Sequence, residues 1–204
     1  SFDGIKNITS GEGGCIVTDD KEILQKVRNG RLLGVENDTD KRYSGQRSWG
    51  FDVKDQGWRY HMSNLMAVIG QAQLENFNMV AVQRRRLGQI YNQRLANIVG
   101  ITPVLGELST VVPHIYVIRI NGLKERNSLR QAMQEQSIET GIHYFPNHRL
   151  TLYRSEMLHS LPVTKSVYSE ILTLPLHPDL LEDDINRVVD ILLDCLHDIR
   201  FFKE

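Results

Sequence analysis

The clearest covalent chemistry in this chain belongs to a lysine beside a glycine cluster. In SFDGIKNITSGEGG, Lys6 stands between Ser1-Phe2 and Gly11-Glu12-Gly13-Gly14. A lysine amine is protonated and a poor nucleophile at neutral pH, unless burial or a nearby cation lowers its pKa and frees the lone pair for imine formation. Gly13-Gly14 would let a ring-sized aldehyde lie close to the backbone and would allow positive φ without steric cost. Judged by residue type alone, a lone lysine near a glycine turn is an ordinary surface residue. GEGG is not a phosphate loop, because it lacks the GxxxxGK[ST] spacing and precedes a strand pattern instead of opening a helix.

Other chemistries find less support. The seven histidines are scattered, and His143 and His148 are separated by Pro146, so they do not share a helix face as HExxH ligands would. No metal site is expected. There is no GxSxG elbow, and no segment favours a pair of carboxylates for sugar hydrolysis.

Order along the chain is more specific than residue type. Ser1-Phe2, Lys6, Thr9-Ser10, Gly11 to Gly14 and Cys15-Ile16-Val17-Thr18 together resemble the lysine segment of the DegT/DnrJ/EryC1/StrS sugar aminotransferases. These are fold-type I enzymes that depend on pyridoxal 5'-phosphate. The resemblance implies that Lys6 holds the cofactor as an imine and that the Ser1 hydroxyl binds its phosphate. GWRYHMSNLMAVIGQAQLENF, residues 57 to 77, resembles a second signature of the family, an aromatic-rich loop entering a long helix. In the family this loop crosses a homodimer interface and touches the partner's cofactor phosphate; the matching positions are Arg59 and His61, the latter more often Arg or Asn. GIHYFPNH resembles a third signature, which places His143 and Tyr144 near the sugar. The C-terminal LTLPLHPDLLEDDINRVVDIL matches the closing strand and helix.

The implied reaction moves an amino group from an amino acid, glutamate by resemblance, to a nucleotide-linked keto sugar. The implied assembly is a homodimer with shared active sites. Enzymes of this family are about twice as long, in keeping with two-domain chains, so the chain resembles their C-terminal part: residues 1–100 as the remainder of the large cofactor-binding domain and 101–204 as a small α/β domain. The carboxylate facing the pyridine nitrogen, the aromatic stacked on the ring and the first phosphate-binding turn belong to the other half. Asp3 is too close to Lys6 along the chain to take the carboxylate's place. Two alternatives stay open: a sugar dehydratase of the same family, against which a lysine at position 6 argues because those relatives typically carry histidine there, and a non-catalytic fragment or split-enzyme subunit acting in assembly.

Composition sets the frame for these sites. A net charge of -1, with 41% hydrophobic and 24% charged residues, describes an ordinary globular protein and gives no sign of nucleic-acid or acidic-membrane affinity. No apolar run approaches ~18 residues. With only Cys15 and Cys195, both expected to pack as small apolar residues, the cytoplasm is the expected compartment.

The elements expected to position the site follow from periodicity and caps. Cys15 to Thr18 reads as a buried strand, and Asp19-Asp20 caps a helix through about Leu33, ended by Gly34. Residues 35 to 58 form a long polar loop whose Tyr43 and Arg47 either help to cover a substrate or belong to a mobile surface excursion. Ser63 caps a helix running from Asn64 to about Val99. Within it Arg84, Arg85 and Arg86 point in three directions and are expected to be solvated or paired with acids. Gly100 to Pro113 is a connection. A strand over 114–120, a helix over about 127–136, a strand over 138–144, a strand over 172–176 and a final helix with Ile185, Val188, Val189, Leu192, Leu193 and Leu196 in one stripe complete an α/β unit with an antiparallel component.

Overall fold

The computed structural model describes residues 1–36, 45, 50–154 and 161–198. Tyr43 and Arg47, expected over the substrate, lie outside the described residues. Contacts divide the chain into two compact units, Ser1–Asn76 and Phe77–Glu204.

In the first unit, helix α1 spans Lys21–Gly30. Asp20 caps it as expected: its carboxylate accepts from the N–H groups of Glu22 at 2.8 Å and Ile23 at 3.1 Å, satisfying two of the unpaired donors of the first turn. The helix stops three residues before Leu33, and Gly34 adopts a φ of 77° beyond it. Helix α2 spans Asn64–Glu75, with Ser63 Oγ accepting from Met66 N–H. The long helix expected to continue to Val99 is broken at Asn76, whose side-chain amide donates back to the Ala72 carbonyl at 2.9 Å. A polar side chain that competes with the backbone in this way favours a break.

The apolar segments of this unit are left uncovered. Cys15–Thr18 forms no strand, and Cys15, Ile16 and Val17 are exposed. A strand needs a ladder partner, and no described residue pairs with this segment. Helix α2 buries none of its residues, and Leu65, Val68, Ile69 and Leu74 face outward.

The second unit holds the core. Helix α3 (Phe77–Leu95), strands β1 (Ile101–Pro103) and β2 (Tyr116–Ile120), helices α4 (Arg126–Glu135) and α5 (Pro162–Glu170), strand β3 (Ile171–Leu174) and helix α6 (Glu182–Asp198) follow in order. The sheet is antiparallel in the order β1-β2-β3, with Ile101 opposite Ile120 and Ile118 opposite Leu172. All four residues of β3 and four of the five in β2 are buried, so neither face of these two strands is left to water. α3 packs on α6 and β1, α4 packs on α6, and α5 packs on β2. Leu87, Tyr91, Leu129, Met133, Leu192 and Leu196 fill the space between them. β1 and α5 went unrecognised in the sequence. β1 is a three-residue strand ending in proline, and α5 carries a weak apolar pattern with no buried residue. The strand expected over 138–144 is reduced to a bridge in which Gly141 pairs with Thr173.

The arginine run also departs from expectation. Arg86 pairs with Glu182 at 3.2 Å, as a surface arginine should, but Arg84 is only 6% exposed. Its Nη1 donates to the carbonyls of Leu176 at 3.1 Å, His114 at 3.2 Å and Pro113 at 3.4 Å. Burial pushes the Arg84 pKa down because the charged form has lost water, and the charge of Asp179 offsets only part of that loss.

Candidate functional site

The segment carrying Lys6 is a closed loop. Phe2 N–H donates to the Gly13 carbonyl and Ser10 N–H to the Phe2 carbonyl, each at 2.9 Å, and Asp3 bridges Gly11. Lys6 N–H closes a turn onto the Asp3 carbonyl at 3.0 Å. Thr9 Oγ1 donates to the Phe2 carbonyl and accepts from Gly11 N–H. Ser10 is buried, and its hydroxyl donates to the Glu12 carbonyl at 2.6 Å. The Thr9-Ser10 pair thus holds the two ends of the loop together, with Lys6 at its far side. Lys6 is half-buried and, among the described residues, forms no ion pair.

The loop is seated on the residues that open α2. A Cβ on Gly13 would lie 2.6 Å from Met62 Cε and 3.2 Å from Ser10 Oγ, and Gly13 has a φ of 132°. Glycine is required there by conformation, whereas the Met62 methyl, at the end of a flexible side chain, could move aside. A Cβ on Gly70 of α2 would lie 3.4 Å from Ser10 Cβ, an ordinary van der Waals contact, so α2 packs against the lysine loop at this point. Residues 57–60 are fixed in turn against the end of α1. Trp58 N–H donates to the Gly30 carbonyl at 2.7 Å, Leu33 N–H to Trp58 at 2.9 Å and Tyr60 N–H to Arg31 at 2.8 Å. A Cβ on Gly57 would overlap the backbone nitrogen of Gly34.

The fold therefore brings the lysine loop and the 57–62 segment together in one unit. Ser1, Arg59 and His61 are exposed, and Ser1 Oγ accepts from Asp3 N–H at 3.3 Å. A concavity of about 1020 Å³ in this unit is lined by Gly13, Gly14, Cys15, Ile16, Trp58, Tyr60 and Met62, with the basic side of α1. Lys6 is not among its lining residues. Trp58 and Tyr60 stack at 6.0 Å and are mostly exposed. The loop suits an aldehyde cofactor in two respects: its amine forms no ion pair among the described residues, and the exposed Gly11, Gly13 and Gly14 leave backbone open to close approach.

In the second unit, His143 Nδ1 lies 2.9 Å from Thr173 Oγ1, and its ring meets Tyr144 edge-on at 4.6 Å. Gly141 N–H donates to the Thr173 carbonyl and Thr173 N–H to that of Gly141, which ties the His143 segment to β3. A Cβ on Gly141 would lie 2.8 Å from His143 Cε1. His143 lines a concavity of about 520 Å³ with Thr140, Thr173, His177, Asp184 and Arg187. Tyr144 is exposed. Among the described residues, no group of three or more His, Cys, Asp or Glu could hold a metal ion, and no helix is long and apolar enough to cross a membrane.

The model of the DegT/DnrJ/EryC1/StrS aminotransferase family matches residues 1–193. The chain belongs to that family. The protein MJ1066 of Methanocaldococcus jannaschii is 34% identical over 197 residues, covering 93% of this chain and 51% of that protein. The spore coat polysaccharide biosynthesis protein SpsC of Bacillus subtilis is 29% identical over 204 residues, covering 96% and 52%. Among solved structures, the Helicobacter pylori aminotransferase PseC, involved in the biosynthesis of pseudoaminic acid, has a TM-score of 0.86 at 21% identity over 97% of this chain and 52% of its own. The protein Spr1654 of Streptococcus pneumoniae in its PMP form has a TM-score of 0.82 at 25% identity, over 98% and 52%, and is also known in a PLP form. The fold is that of the C-terminal half of fold-type I sugar aminotransferases. The chain spans about half the length of the curated relatives it matches.

The lysine loop of this DegT/DnrJ/EryC1/StrS chain is legible in its sequence, but the residues that support it are not. Met62, Gly70 and Thr173 carry no chemistry of their own, and only contact reveals them. Gly70 and Gly141, glycines inside a helical and a strand-like pattern, were the available signals.

Proposed function

We propose that the protein of which these residues form part transfers an amino group from an amino acid, glutamate as the first choice, to a nucleotide-linked keto sugar, with Lys6 as the catalytic amine. Membership of an aminotransferase family supports the reaction class, and the closed Lys6 loop carries the assignment of the residue. Pyridoxal phosphate, when bound, supplies an aldehyde for the amine and an electron sink for the carbon acid.

The chain's own contributions are positional and acid–base. The paired ends of the loop fix the Lys6 backbone, so that Nζ searches a small volume. Lys6 Nζ would hold the cofactor and, when free, would act as base and then acid, moving the proton that the donor Cα gives up. Ser1 and, in the dimer, Arg59 and His61 of the opposite subunit are the proposed phosphate ligands. His143 and Tyr144, with Tyr43 and Arg47, are the proposed sugar contacts. The grouping 1–100 and 101–204 is the proposed domain plan of the whole enzyme. The apolar faces left open in the first unit, on Ile16, Val17 and α2, support a homodimer and a larger domain that cover them.

Titration with pyridoxal phosphate, borohydride reduction and peptide mass spectrometry test the assignment. The adduct is expected on Lys6, and Lys6→Ala is expected to lose the visible imine band. A band that persists in Lys6→Ala, or an adduct on another lysine, overturns it.

A further inference from the structure

Strand β3 carries a hydroxyl where an apolar side chain would pack. It reads Ile171-Leu172-Thr173-Leu174, and all four residues are buried. Leu172 and Leu174 belong to the hydrophobic core. Alternation along the strand turns Thr173 to the opposite face. There it is 6% exposed, and a β-branched apolar residue would fill the place without the cost of burying a hydroxyl. Among the described residues, Thr173 Oγ1 has one side-chain partner, His143 Nδ1 at 2.9 Å.

The direction of that bond follows from what each group must satisfy. A hydroxyl has one hydrogen to give and two lone pairs to accept with. If Nδ1 donated to Oγ1, the hydroxyl hydrogen would be buried without an acceptor, a costly state. If Oγ1 donates to Nδ1, both groups are satisfied and the proton of the neutral imidazole sits on Nε2. Nothing among the described residues bonds Nε2, which is left to donate to a ligand.

The backbone locks this setting. Gly141 and Thr173 exchange backbone hydrogen bonds at 2.9 and 2.8 Å, so the segment that enters His143 is tied to the strand that carries the hydroxyl. A Cβ on Gly141 would lie 2.8 Å from His143 Cε1 and 3.3 Å from Nδ1, and would push away the ring edge that meets Thr173. The ring is half-buried, held along one edge and reachable on the other.

We propose that Thr173 is a positioning residue: its hydroxyl donates to His143 Nδ1 and so presents Nε2–H as a donor to an oxygen of the keto sugar. The proposal rests on the reading of His143 as a sugar contact. A carbonyl or ring oxygen of a sugar can only accept, so it needs a ring that shows it N–H and not a bare nitrogen. Fixing that choice before the sugar arrives removes an ordering step from binding.

Thr173→Val keeps the β-branched shape and Thr173→Ser keeps the hydroxyl, with far-UV circular dichroism confirming that each variant is folded. Proton–nitrogen NMR of protein with isotope-labelled histidine, at about pH 8 where an ordinary imidazole is neutral, reads the tautomer directly. The His143 signals are those missing from His143→Ala. The Nε2–H form is expected in wild type and Thr173→Ser, and ring nitrogens shifted toward a mixture of the two forms in Thr173→Val. An Nδ1–H ring in wild type, or ring nitrogens that Thr173→Val leaves unmoved, refutes the proposal.

Single-turnover amination of UDP- and dTDP-linked 4-keto-6-deoxyhexoses by the cofactor-loaded whole enzyme supplies the second readout. Each rate is divided by that of the donor half-reaction, which corrects for cofactor loading. Thr173→Val is expected to slow amination by about 3- to 10-fold, the loss of one hydrogen bond, and Thr173→Ser to restore most of it. His143→Ala/Thr173→Val is expected to match His143→Ala within about 2-fold, because a residue that acts through another adds nothing once that one is gone. Losses that multiply in the double variant refute the positioning role. If His143→Ala aminates at full speed, or wild type acts on neither sugar, the reading of His143 falls and takes the proposal with it. A slow His143→Ala beside a full-speed Thr173→Val spares that reading and sinks the proposal alone.

Discussion

Replacing Arg84 with methionine is expected to destabilise the second unit by about 2–4 kcal/mol. Nη1 carries two hydrogens and faces three carbonyl oxygens, those of Pro113, His114 and Leu176, so at most two strong bonds form at once. Hydrogen bonds from a charged donor contribute about 1.5–3 kcal/mol each, or about 3–6 kcal/mol for two. Against this stands the cost of holding a guanidinium that is 6% exposed away from water, a cost that lowers its pKa and that the charge of Asp179 offsets only in part. Methionine keeps much of the apolar stem and removes that cost, but it takes from the 113–114 and 176 segments the cation that ties them to α3. Urea unfolding followed by far-UV circular dichroism reads the result, since both tryptophans, Trp49 and Trp58, lie in the other unit. The midpoint should fall at unchanged m, with a thermal shift of about 2–4 °C per kcal/mol. Arg84→Lys keeps a cation and should lose less. Stability equal to or above wild type in Arg84→Met would show that desolvation outweighs the three carbonyl contacts and would refute this account of the clamp.

Gly13→Ala should loosen the lysine loop and reduce the imine band, and adding Met62→Ala should restore only part of it, since the clash is relieved but the positive φ persists at a cost of about 1–3 kcal/mol. Full recovery in the double variant would show that φ is immaterial. Glu170 is held below its usual pKa, first by the Gly122 N–H and then by Arg119. Its stabilising contribution should therefore be present above the unfolded carboxylate pKa and be lost as pH falls through the lowered folded value. The stability gap between wild type and Glu170→Gln should accordingly shrink in acid, and a gap that widens there contradicts the sign. Cys15 is exposed, whereas Cys195 is buried with its thiol pKa raised by that burial. A disulfide reagent should titrate one thiol quickly in the native chain and both in denaturant; two fast thiols would be inconsistent with the packing of α6.

The chemistry-bearing loop was legible because it is local. Lys6, the Thr9-Ser10 pair and the glycine run sit within fourteen consecutive residues, and their bonds close on one another. The caps of α1 and α2, and the stripe of α6 from Ile185 to Leu196, are local too: each rests on neighbours within a turn or on a 3.6-residue period. What local pattern could not decide is whether an apolar segment finds a partner. Cys15-Ile16-Val17 has the composition of a buried strand and yet stands exposed, while β1, half as persuasive on paper, is paired because β2 lies beside it. Arg84 looks like its neighbours Arg85 and Arg86 in sequence, and only the convergence of residues 113, 114 and 176 makes it a buried clamp. The same holds for Met62 under Gly13 and for Thr173 beside His143, which join residues far apart along the chain. Short-range hydrogen bonding and periodicity are written into adjacent residues, whereas burial and cross-chain convergence are settled by the whole fold at once.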